Sequence, residues 1–93
     1  MTFSSKFVHY SIVWKKSAEK DLKSIAAPYV RNIEEKIEKI IQGDPSLDIL
    51  KLQGYFNVPT YRLRVGDYRV IFEVYEHKII ILIVGIKHRK DAY

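Results

Sequence analysis

The sequence predicts an α+β fold in the order β-α-α-β-β-β, with an antiparallel sheet packed on an N-terminal helical hairpin. Three observations carry this expectation. Val30, Ile33, Ile37, Ile40 and Ile41 form one apolar stripe at helical spacing. Tyr61, Leu63 and Val65 alternate with Arg62 and Arg64, and Tyr68, Val70, Phe72 and Val74 alternate with polar or mixed positions, on either side of Gly66-Asp67. Ile79-Ile80-Ile81-Leu82-Ile83-Val84 is an unbroken apolar run of strand length.

Each element follows from local chemistry. The segment from Phe7 to Trp14 is rich in β-branched and aromatic residues and reads as the first strand. Ser17 offers an N-cap, and Ala18, Leu22 and Ile25 recur at helical spacing behind it. Pro28 suits the first turn of a second helix, where its missing N–H costs nothing. Gly43-Asp44-Pro45 ends that helix. Leu50 to Gly54 is compatible with extended chain, with Gly54 turning it. Gly66-Asp67 is a two-residue hairpin signal with Gly first, and Glu76-His77 marks the next turn. The strand from Lys78 to Ile86 follows, then the polar tail Lys87-His88-Arg89-Lys90-Asp91-Ala92-Tyr93. The core face of the sheet is expected to comprise Tyr61, Leu63, Val65, Tyr68, Val70, Phe72, Ile79, Ile81 and Ile83.

Residues 1–93 read as a single domain, without repeats or linkers. A hydrophobic share of 47% is too high for intrinsic disorder. With no cysteine, a disulfide scaffold, a thiolate zinc site and a cysteine nucleophile are excluded. His9, His77 and His88 lack metal-ligand spacing, and there is no clustered-carboxylate site, phosphate-binding glycine loop or nucleophile elbow, so neither metal nor cofactor is expected. No apolar run reaches membrane-spanning length and no signal peptide is evident, so the expected location is the cytoplasm. Sixteen Lys and Arg against eleven Asp and Glu give a net charge of +5, which suits a polyanionic partner.

The hairpin localises that charge. With Gly66-Asp67 at the turn, Val65 faces Tyr68, Arg64 faces Arg69, and Arg62 lies two residues along on the same face. Like charges directly opposite one another destabilise a sheet, and a bound anion would relieve the repulsion. Arginine also suits bidentate phosphate contact. The alternative is that the arginines splay into solvent or pair with Glu73. In the tail, Lys87, Arg89 and Lys90 surround His88, a candidate proton acceptor. Tyr93 could stack on a base or could be a frayed end.

The stretch Tyr61-Arg62-Leu63-Arg64-Val65-Gly66-Asp67-Tyr68-Arg69-Val70, with His88-Arg89-Lys90-Asp91-Ala92-Tyr93 behind it, resembles the RelE/ParE superfamily of type II toxin–antitoxin toxins. The resemblance extends over nearly the whole chain. It implies a metal-free mRNA endonuclease acting in the ribosomal A site, in which the ribose 2′-OH attacks the adjacent phosphate to give 2′,3′-cyclic phosphate and 5′-OH ends. It implies that Arg62, Arg64 and Arg69 stabilise phosphate charge, that Lys87 or Arg89 takes the place of the family's tail arginine, and that Tyr93 is a catalytic or stacking tyrosine; Lys87, Arg89 and Lys90 of the basic tail are expected to bind RNA. Some members carry lysine on the second strand. Arginine cannot serve as a base at neutral pH, which leaves His88 or Tyr93, with His88 preferred. The implied partners are the ribosome, mRNA and a cognate antitoxin, in a toxin–antitoxin hetero-oligomer without membrane association. The antitoxin would cover the arginine face or dock on Ile80, Leu82 and Val84. The alternative within the superfamily is a ParE-like toxin that inhibits DNA gyrase without cutting RNA.

Overall fold

The computed structural model describes residues 6–91. The elements are β1 (Ser11–Trp14), α1 (Lys16–Lys23), α2 (Ala27–Ile41), β2 (Asp48–Lys51), β3 (Thr60–Val65), β4 (Tyr68–Tyr75) and β5 (Ile80–His88), with 3-10 turns at Glu76–Lys78 and Arg89–Asp91. The fold is α+β, as expected, and the sheet has five strands in the order β1-β5-β4-β3-β2. It is antiparallel except at one join, where β1 runs parallel to β5, so the sheet is mixed. The additional strand is β2, which begins two residues before the extended stretch read from the sequence.

Both helices bury their apolar stripes against one sheet face. Ile33, Ile37 and Ile40 of α2 and Ala18 of α1 meet Tyr61, Leu63, Val65, Val70, Phe72, Val74, Ile81, Ile83 and Ile86. Phe7 belongs to this core as well. It precedes β1 in a turn, is fully buried, and its ring lies edge-on to Tyr10, Tyr61 and Phe72. Ile79 leaves the expected core list. It caps the Glu76–Lys78 turn at φ 55° and is 49% exposed.

Two local features shape the functional end of the sheet. The first is the edge of β5. β1 stops at Trp14, and α1 continues the edge with side chains. Ser17 Oγ donates to the Val84 carbonyl at 2.7 Å, and Asp21 Oδ2 accepts the Ile86 N–H at 2.8 Å. Ser17 is therefore inside the helix and bound to the strand, while Lys15 holds the N-cap position without a side-chain bond. The second feature is a bulge. Ile71 pairs with Gly85 and Phe72 with Ile83, so Val84 is an extra residue in β5. One added residue reverses which side chains face the core. Before the bulge Ile81 and Ile83 are inward. After it, Ile86 and His88 share the core side and Lys87 joins the open face.

Candidate phosphate-binding site

The β3–β4 hairpin closes with the expected register. Val65 pairs with Tyr68, Arg64 with Arg69, and Arg62 with Ile71. Gly66 has φ 57°, whereas Asp67 is not among the positive-φ residues, the pattern of a tight turn with Gly first. The neighbouring strands extend this row. Asp48 pairs with Arg64 on one side, and Lys87 pairs with Arg69 on the other. The open face therefore carries Asp48, Arg64, Arg69 and Lys87 side by side across β2, β3, β4 and β5.

The cations in and beside this row differ in their surroundings. Arg62 Nη1 donates to Asp48 Oδ1 at 2.9 Å and to the Asp48 carbonyl at 3.0 Å. That bond, together with the positive field of Arg62, Arg64 and Arg69, holds the Asp48 carboxyl below its ordinary range against a smaller desolvation effect. Arg64 is exposed and has no ion-pair partner among the described residues. Arg69 Nη1 is buried and makes no hydrogen bond among the described residues. A buried donor left unpaired costs about 1–3 kcal/mol, and here it belongs to a cation that faces Arg64 across the ladder. Glu73, a possible partner, instead accepts the Tyr75 hydroxyl at 2.8 Å. The arrangement is suited to an oxyanion with several acceptor oxygens, which would satisfy the orphaned donor and offset the row's charge together.

Residues 12–93 match the family profile described as "ParE toxin of type II toxin-antitoxin system, parDE". The chain is also 37% identical over 90 residues to Toxin RelE3 of Methanocaldococcus jannaschii, covering 88% of this chain and 93% of the relative. The chain belongs to the RelE/ParE toxin superfamily. It is 21% identical over 86 residues to a protein named mRNA interferase toxin RelE of Escherichia coli, covering 90% of each. Its fold superposes on the RelE–RelB complex structure from Pyrococcus horikoshii with a TM-score of 0.71 at 32% identity, covering 89% of this chain and 98% of that one.

Within this RelE-type toxin the tail residues separate. Lys87 stands beside Arg69. Arg89 is tied to the hairpin tip, its N–H donating to the Asp67 carbonyl at 2.7 Å and its Nε lying 3.6 Å from Asp67 Oδ1. Lys90 is exposed, and its N–H donates to His88 Nδ1 at 3.2 Å. His88 is not on the arginine face. Its ring lies edge-on to Tyr68, 5.3 Å between centroids, and Tyr68 in turn meets Tyr29 at 5.9 Å. These rings line a cavity of about 320 Å³ between α2 and the hairpin tip, with Asn32 and Asp67 at its margin. Because Nδ1 accepts the Lys90 N–H, the neutral ring carries its proton on Nε2 and offers a donor there. Tyr93 lies outside the described residues.

Sequence reasoning missed Asp48. It lies before the stretch read as extended, and only through its pairing with Arg64 does its carboxylate come onto the arginine face. Among the described residues there is no group of three or more His, Cys, Asp or Glu placed to hold a metal ion. Among the described residues no helix is long and apolar enough to cross a membrane.

Proposed function

We propose that this chain is a ribosome-dependent, metal-free mRNA endonuclease that cuts in the A site by 2′-OH attack on the adjacent phosphate. The observation that carries the reading is the unpaired, buried Arg69 Nη1 between Arg64 and Lys87. A phosphate passing to a five-coordinate transition state gains charge on its equatorial oxygens. Fixed cations aimed at that charge lower the barrier without reorganising. Arg69 is the central donor, Arg64 and Lys87 flank it, and Arg62 lies beside the row in its bond to Asp48. Arg89 and Lys90 extend the positive surface past the hairpin tip. The name mRNA interferase carried by the Escherichia coli relative supports the same reaction class.

Proton transfer is assigned to His88, with Tyr93 as the second candidate. For His88 this requires the RNA to round the hairpin end of the sheet. To act as base through Nδ1 it also requires the Lys90 bond to open, whereas a neutral ring can donate from Nε2 with that bond intact. A pH–rate profile of His88→Ala tests the assignment: loss of the acidic limb supports the base role, loss of the alkaline limb supports the acid role, and an unaltered profile removes both.

The proposed partner off the ribosome is an antitoxin, by analogy with the RelE–RelB complex of Pyrococcus horikoshii. Away from the arginines, the open face carries Val13, Tyr75, Ile80 and Leu82 around a shallow, mainly apolar hollow with Lys78 in its lining, and Val13 is 42% exposed. An antitoxin segment with acidic and apolar residues suits the two halves of this face. The proposed site of action is the cytoplasm, where translating ribosomes are found.

Primer extension on mRNA in a translation system tests the reading. Cuts at fixed codon positions, present only where ribosomes translate, support the A-site nuclease. Intact mRNA from folded protein overturns it. The second reading, a ParE-like toxin that inhibits DNA gyrase without cutting RNA, is favoured by the ParE description of the matching profile. Inhibited DNA supercoiling with intact mRNA would establish it.

A further inference from the structure

We propose that Asp48 is a built-in counter-ion that holds Arg62 back from RNA, so that the phosphate seat is Arg64, Arg69 and Lys87 and its affinity is set below what the full cation set would give. This rests on the reading of the open face as an RNA phosphate seat.

Asp48 reaches Arg62 diagonally across the β2–β3 ladder, since its direct partner is Arg64. The contact is specific. One guanidinium nitrogen of Arg62 is taken by both the carboxylate and the main-chain carbonyl of the same residue. The Arg62 side chain is only 17% exposed, whereas that of Asp48 is 52% exposed. The carboxylate thus stands at the solvent side of the pair, where an incoming phosphate would have to displace it. Arg69 has no comparable partner among the described residues, where its Nη1 remains unpaired. One carboxylate placed beside three arginines neutralises one of them and leaves the other two for a ligand. An RNA phosphate would compete with Asp48 for Arg62 but not for Arg64 or Arg69.

The alternative is that the Asp48–Arg62 bond only fastens the short strand β2 to the sheet. Binding of a fluorescein-labelled single-stranded RNA oligonucleotide, followed by anisotropy across a NaCl series, separates the two. Asp48→Asn and Asp48→Ser remove the charge but can still accept a hydrogen bond from Arg62, and a melting curve confirms that each folds. Freeing one cation adds one phosphate contact, which steepens the log–log salt dependence by about 0.7 for a single strand. Between 50 and 200 mM NaCl that is an additional loss of about 2.6-fold in affinity. Asp48→Glu, which keeps the charge, should retain the original slope. Adding Arg62→Ala to Asp48→Asn should abolish the gain.

Unchanged slopes in both neutral variants would overturn the proposal and leave Asp48 as a fastener of β2. A gain that persists after Arg62→Ala would also overturn it, because the effect would then come from net charge and not from Arg62. Failure of the underlying reading looks different. If the unaltered chain does not bind the oligonucleotide at low salt, or Arg64→Ala and Arg69→Ala bind as tightly as it does, the face is not a phosphate seat whatever Asp48 does.

Discussion

Arg69 should weaken the fold that carries it. It pairs in register with two other cations, Arg64 across one strand pair and Lys87 across the other. Its Nη1 is shut off from solvent without a partner. Arg69→Met keeps an unbranched apolar stem over the sheet and removes both the orphaned donor and the charge. Relieving an unpaired buried donor is worth about 1–3 kcal/mol. Removing a like-charge cross-strand pair adds a few tenths to about 1 kcal/mol. Against these gains stands the loss of packing by the planar head, so the net expectation is a stabilisation of about 1–2 kcal/mol. For a domain of this size each kcal/mol moves Tm by roughly 4–8 °C. Urea and thermal unfolding followed by circular dichroism, in a buffer low in salt and free of phosphate, would measure it. Added sulfate should narrow the gap by stabilising the arginine form alone, and RNA binding by Arg69→Met should fall. A variant less stable than its parent would refute the reasoning, since the guanidinium would then be satisfied in the folded chain without a ligand.

Three further outcomes follow from the same structure. Gly66→Ala should cost about 1–2 kcal/mol, because φ there is 57° and an added methyl meets nothing within 4 Å, so backbone strain is the whole effect; chemical denaturation measures it. Asp21→Ala should strand the partly buried Ile86 N–H, costing about 1–3 kcal/mol and speeding hydrogen exchange at that amide above all others in β5. The Asp48 carboxyl is held below its ordinary 3.8, chiefly by its bond to Arg62. Its contribution to stability is therefore complete above pH 3.8 and is lost as pH falls through the lower folded value, so Asp48→Asn should flatten that part of the acid-unfolding curve.

The residues that were legible in the sequence are those whose partners are close in the chain. The β3–β4 register follows from alternation and a two-residue turn, and with it the opposition of Arg64 and Arg69. Pro28 falls in the first turn of α2, and Ile33, Ile37 and Ile40 supply its buried stripe. What the sequence hid depends on distant pairing. Nothing local to Ser11–Trp14 specifies a parallel partner near residue 80. Nothing in Asp48 itself points to Arg62, because β2 becomes a strand through its place beside β3. His88 is the most instructive case. Simple alternation from Ile81 and Ile83 would put residues 85 and 87 inward and set His88 among the arginines. The bulge at Val84 reverses that order, exchanging Lys87 for His88 on the open face. A bulge is decided by how two strands fit, so its position is not written in either strand alone.

The parallel join between β1 and β5 sets the order in which this molecule can be completed during synthesis. Residues 11–14 leave the ribosome early, yet their partners are residues 80–83. Until those appear, β1 has no neighbour, one side of β4 is open, and Ile81, Ile83 and Ile86 are missing from the core. A growing chain can form its helices and the β3–β4 hairpin from nearby contacts, but it cannot close its sheet. Lys87 arrives last among the cations of the row and reaches Arg69 only through that closing strand. A nascent chain therefore gains its complete cationic row only when synthesis of the described fold is nearly finished.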